Sequence, residues 1–128
     1  APVAAVHALA YPLGGHFHIP HGLSNSLVLP HVMRFNASVA AEQYAELAQI
    51  IDPSISTGSA EAMTQALISS IERLIEALGL PNRLRDMKIT SDQLPMLAND
   101  AMQQQRLLIN NPREVTYEDA LAIYQSAY

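Results

Sequence analysis

Four of the five histidines, His7, His16, His18 and His21, fall within the stretch HALAYPLGGHFHIPHG, around the pair Gly14-Gly15 and the prolines Pro12 and Pro20. Imidazole can hold a divalent metal or carry a proton near neutral pH. The chain has no cysteine, so a metal here has to be held by imidazole and carboxylate alone. Two arrangements are open. His16, His18 and His21 could wrap one ion in a local chelate, although Pro20 and the glycines give that segment no regular periodicity to align them. His7, at the end of one helix, could instead meet His21 at the mouth of the next if the Gly-Gly loop folds back. Ligands on helix ends are held rigidly, as a catalytic metal requires. The plain alternative is a set of surface or hydrogen-bonded core histidines.

The elements that would position these side chains are helical. Apolar residues recur at three- and four-residue steps, and no window shows a hairpin or a period-two strand, so the expected fold is all-α, a bundle of about six helices. Residues 1–10 read as the last turns of a helix stopped by Pro12 and Gly14-Gly15, with a loop running to Gly22. A second helix is expected from Leu23 to about Asn36, kinked at Pro30, and a third from Val39 to Ile51, before Asp52-Pro53. The longest is expected after the STGS connection around Thr57–Ser59. Its core stripe would be Met63, Leu67, Ile71, Leu74, Ile75 and Leu78, with Gly79 as the stop. Thr90 with Gln93 resembles a capping box opening a helix that continues to about Leu108. Thr116 caps the last helix, with Glu118 and Asp119 in its first turn and Leu121 and Tyr124 facing inward.

Composition narrows the function classes. With 128 residues, 49% apolar and 15% charged, the chain fits one globular domain, residues 1–128. Twelve acidic against seven scattered basic side chains leave no stripe that could track phosphates, so a nucleic-acid partner is not expected. No apolar run reaches the length of a membrane span, and the opening residues lack a charged leader region. The absence of cysteine is compatible with a cytoplasmic location. The start at Ala1, without methionine and in mid-pattern, reads as a piece of something longer.

The string HALAYPLGGHFHIPHGLSNSLVLPHVMRFN closely resembles the signature of the iron-containing (group III) alcohol dehydrogenases. There a histidine, a glycine pair, a P-H-G and an L-P-H-V-M-x-F/Y-N run follow in this order. Residues 80–128 are similar to that family's closing region, through LPMLA, NPR and a terminal tyrosine-containing element. The resemblance implies a two-domain parent of dehydroquinate synthase-like architecture. An N-terminal α/β domain, absent here, would bind most of the NAD or NADP, and a helical C-terminal domain, of which this chain is the later part, would carry Fe²⁺ or alternatively Zn²⁺. Of the four metal ligands the family uses, two map onto His7 and His21, while an aspartate and a histidine should precede Ala1. Implied with them are a small alcohol or aldehyde substrate, metal-assisted hydride transfer, and a homo-oligomer.

Tyr11 stands where many members carry a second histidine close to the nicotinamide, which marks it as a catalytic and cofactor-binding position. A tyrosine keeps a hydrogen-bonding tip but titrates near 10, against about 6.5 for histidine, so a proton relay there is weakened. Gly14 and Gly15 are either a plain helix terminator or a place where backbone passes close to cofactor or metal. No G-x-G-x-x-G or Walker motif accompanies them. His16 and His18 read as loop residues edging the cleft, and His31 as a packing or hydrogen-bonding residue. Arg113 of the N-P-R element reads either as part of an anion site or as a structural partner for carboxylate or helix carbonyls. A maleylacetate reductase-like activity, or a non-catalytic helical module that binds metal weakly or self-associates, remain the other readings. Residues 1–128 alone are expected to be inactive.

Overall fold

The computed structural model describes residues 3–55 and 58–128. Among them are six α-helices and no strand: α1 (Ala4–Phe17), α2 (His21–Ile51), α3 (Ala60–Ala77), α4 (Leu94–Ala101), α5 (Gln105–Leu108) and α6 (Tyr117–Ala127), with 3-10 turns at Leu84–Met87 and Ser91–Gln93. No described helix is long and apolar enough to cross a membrane.

The all-α expectation holds, but the helix boundaries move. α1 does not stop at Pro12 or Gly14-Gly15; it runs through them to Phe17. Proline inside a helix costs about 3 kcal/mol or more. Against that, Leu9 and Leu13 are both fully buried, each contributing about 2 kcal/mol, and Ala5, Ala8 and Ala10 bury alongside them. Packing therefore carries the helix across its weak point. The terminator is His18, in the left-handed conformation at φ 56°, whose N–H donates to Gly14 O at 3.1 Å. The expected loop to Gly22 shrinks to His18–Pro20.

The second and third expected helices are one, α2, which passes through the buried Pro30 and is the longest element at 31 residues. The break expected after Asn36 does not occur. Its carboxamide donates to Tyr44 Oη at 3.2 Å and to Asn111 Oδ1 at 3.0 Å, so it does not compete for local backbone. α3 starts at the Ser59 cap, whose hydroxyl accepts from Ala62 N; Thr57 lies outside the described residues. Met63, Leu67 and Ile75 of the expected stripe are buried, but Leu74 and Leu78 are exposed. The helix ends at Ala77, just before Gly79, whose φ is +72°. At Thr90–Gln93 the Thr90 N–H donates to Gln93 Oε1 at 2.9 Å, yet this opens only a 3-10 turn leading into α4, and the helix expected to reach Leu108 is interrupted between Ala101 and Gln105. The Thr116–Asp119 capping box opens α6, where Tyr124 is buried and Leu121 half-buried.

α1 lies in the principal core, packed against the first half of α2, α4 and α5, while α6 packs on α2 and α4. A second cluster, including Met33, Tyr44, Ala48, Leu67 and Ile68, joins the rest of α2 to α3. Tyr124 Oη donates to Leu9 O at 2.5 Å, tying α6 to α1. Burial pushes the Tyr124 phenol far above its ordinary range, so it stays a donor.

Asn111 is the polar tie of the fold. Its Oδ1 accepts the otherwise orphaned N–H of Ala5 in the first turn of α1, and its Nδ2 donates to Asn36 Oδ1 at 2.8 Å and to Arg113 O at 2.7 Å. Arg113 in turn donates to Phe35 O at 2.8 Å and covers the Phe35 ring. The N-P-R element thus serves helix carbonyls, as the structural reading of Arg113 has it. Asn111→Ala removes the acceptor of the buried Ala5 N–H and both of its bonds to Asn36, so it should lower stability by about 2–3 kcal/mol, read as a lower urea midpoint. Asn110→Ala, on the exposed neighbour, should shift it by less than about 0.5 kcal/mol.

Candidate functional site

One face of α1 is left open. Nearly every other position is covered, while His7, Tyr11 and Gly15 are exposed at successive four-residue steps, with His18 beyond them. The three-residue connection carries the chain back along this helix, and Ile19 anchors it: its side chain is buried, and its carbonyl accepts from Ser24 Oγ at 3.2 Å. α2 therefore begins beside the middle of α1. His21, its first residue, meets His7 ring against ring, with centroids 5.7 Å apart and planes within 8°. It is not a Gly-Gly loop that folds back to bring them together, since both glycines belong to α1.

In chemical terms this pair offers two neighbouring imidazole donors. Two imidazoles on separate helix positions, side by side and open to solvent, are the right donors for a borderline divalent ion. Among the described residues no group of three or more His, Cys, Asp or Glu side chains converges. The donors fit an iron or zinc ion in kind and fall short in number, so completion requires ligands from elsewhere. His16 and His18 do not join them. His16 sits in the last turn of α1, not in a loop, and pairs with Asp100 of α4, while His18 is the exposed helix stop. The local three-histidine chelate is therefore not formed.

Sequence reasoning missed two residues here. Asn25 Nδ2 lies 3.3 Å from His21 Nε2, one turn along α2, and Asn25 Oδ1 is buried without a partner among the described residues; the four-residue spacing was the available signal. Asp100 carried none, because 84 residues separate it from His16.

Gly14 and Gly15 play different parts. A methyl at Gly14 would touch Ile19 O at 3.5 Å, so the returning connection passes over it at ordinary contact distance; Gly15 faces open space. Beside them is a groove of about 310 Å³ lined by Tyr11, Gly14, Gly15, Ile19 and His21.

Residues 1–128 match the Fe-containing alcohol dehydrogenase family, C-terminal. The chain belongs to the iron-containing alcohol dehydrogenase family. It is 35% identical over 123 residues to lactaldehyde reductase of Escherichia coli (strain K12), covering 96% of this chain and 32% of that protein. Against long-chain-alcohol dehydrogenase 1 of Geobacillus thermodenitrificans (strain NG80-2) it is 38% identical over 128 residues, covering 100% of this chain and 32% of the relative. A crystal structure of 1,3-propanediol oxidoreductase superposes with a TM-score of 0.90 at 32% identity, over 97% of this chain and 32% of that one. The chain thus spans about a third of the length of the iron-containing alcohol dehydrogenases it matches.

His31 lies away from this face, half-buried in a small cavity of about 100 Å³ shared with Glu72 and Arg83. Burial, assisted by Arg34 and Arg83 and opposed by Glu72, holds its pKa below the ordinary 6.5. The unfolded chain therefore binds more protons than the folded one just below pH 6.5, and this contribution to stability is lost as pH falls through that range. His31→Gln should accordingly flatten the decline in urea midpoint between about pH 7.5 and about pH 5.5. An unchanged slope would show that His31 does not contribute to it.

Proposed function

We propose that residues 1–128 form the later part of the metal-bearing helical domain of an NAD(P)-dependent, iron-containing alcohol dehydrogenase, with His7 and His21 holding the metal. The observation that carries this reading is the parallel stacking of those two rings on the one uncovered face of α1, in a chain matched over its full length by the family. Two more ligands and the nucleotide-binding domain would come from the part of the parent outside this chain, and a small alcohol or aldehyde would be the substrate.

When bound, the metal supplies Lewis acidity that lowers the pKa of the substrate hydroxyl and so eases hydride loss to the nicotinamide. The chain's own residues do the rest of the positioning. Neutral imidazoles at His7 and His21 would leave the ion most of its positive charge. Tyr11, one turn from His7 and lining the same groove as His21, would put a phenol beside the bound substrate and nicotinamide. Gly15 leaves bare helix there, so a planar ring can approach the backbone closely.

In the intact parent protein, His7→Ala and His21→Ala should each remove most of the bound iron or zinc, whereas His16→Ala and His18→Ala should retain it. Elemental analysis of purified protein checks this, and equal losses at all four positions contradict the assignment. Isolated residues 1–128 should oxidise no alcohol with NAD⁺ or NADP⁺, and turnover by the fragment would overturn the division of labour.

A further inference from the structure

Oxidation of an alcohol by an oxidised nicotinamide sends a hydride to the cofactor and turns C–O–H into C=O, which leaves one proton to be carried away. His7 and His21, given to the metal, have no lone pair left for it. Tyr11 titrates near 10, so at neutral pH it can pass a proton on but not keep it. A base stands close by. A second groove of about 310 Å³ shares Tyr11 and Gly15 with the groove containing His21. It is also lined by His16, in the last turn of α1, and by Asp100 of α4, and these two are hydrogen-bonded through Nε2 and Oδ2. An ionised carboxylate only accepts, so His16 Nε2 carries the hydrogen and the lone pair is at Nδ1. An imidazole with one bare nitrogen, backed by a carboxylate that stabilises the imidazolium it becomes, is the arrangement of a general base. Both side chains reach the surface, 45% and 37% exposed, so a proton taken up here has a way out to solvent.

We propose that the His16–Asp100 pair is the proton acceptor of the reaction, reached from the substrate through Tyr11. The proposal rests on the dehydrogenase reading above. The substrate hydroxyl gives its proton to the Tyr11 oxygen, and the phenol gives its own across the groove to His16 Nδ1. The electron pair of the broken O–H bond becomes the second bond of C=O, while the C–H pair leaves with the hydride. The imidazolium then loses its proton to solvent, and the pair is restored. Little else around it competes. Gln103 and Gln104, which complete the groove, are neutral. His18 is exposed at the helix stop two residues on. Tyr124 of α6, the other titratable group that feels Asp100, is buried and stays a donor to Leu9 O.

The test follows formation of NAD(P)H from 1-propanol in a single turnover of the intact parent enzyme, by stopped flow, as a function of pH. His16→Gln should slow this step about a hundredfold near neutral pH. The rate should recover as pH rises and hydroxide takes the proton, and added free imidazole should restore most of the loss. Asp100→Asn should slow the step in the same direction. Because neither side chain is buried, both variants should keep the wild-type urea midpoint within about 0.5 kcal/mol, and both should keep their metal. A wild-type pH profile in His16→Gln, or a loss that neither alkaline pH nor imidazole repairs, overturns the relay and leaves the dehydrogenase reading standing. A wild-type parent that oxidises no alcohol overturns both.

Discussion

The register between α1 and α2 is the constraint on which the site depends. Three residues connect these helices, and each does something different. His18 ends α1 in the left-handed conformation, Ile19 buries and anchors the return, and Pro20 leads into α2. The return runs along α1, so the first residue of α2 reaches His7, about three turns back from the end of α1. Had the connection been longer or unanchored, His21 would have no fixed neighbour. The cost of placing a non-glycine residue at φ 56° is about 1–2 kcal/mol, and the burial of Ile19 offsets it.

The rest of the chain holds that register in place and leaves one face free. α4, α5 and the first half of α2 cover α1, and two long-range ties fix its position: Tyr124 to Leu9 O, and Asn111 to Ala5 N. Asn111 also grips Asn36 of α2, so α1 and α2 are joined to one buried amide as well as to each other. The open stripe of His7, Tyr11 and Gly15 is what remains. On it lie the imidazole pair and the groove that Tyr11 and Gly15 share with His21.

The chemistry could be read in the sequence further than the architecture could. His7 and His21 stand out by their order around the glycine pair and P-H-G, and the structure does bring them together; that they bind metal is the proposal. Helix capping was readable at Thr90 and Thr116 because it is local. Helix continuity was not, because Pro12, Gly14, Gly15 and Pro30 are breakers in any short window, and only the burial of residues such as Leu9, Leu13, Leu27 and Val28 on distant partners outweighs them. Asn36 reads as a helix-ending residue until Asn111, 75 positions away, claims its side chain. The His16–Asp100 pair is likewise a product of the fold, its partners standing 84 positions apart.

The central claim is that His7 and His21 are two ligands of a metal whose remaining ligands lie outside residues 1–128. An anomalous-difference map from crystals of the intact protein, collected at the iron or zinc edge, tests it most directly. The account predicts one peak within coordinating distance of both rings, completed by an aspartate and a histidine from outside this chain. A peak elsewhere, or one ligated by His16 or His18, would contradict it.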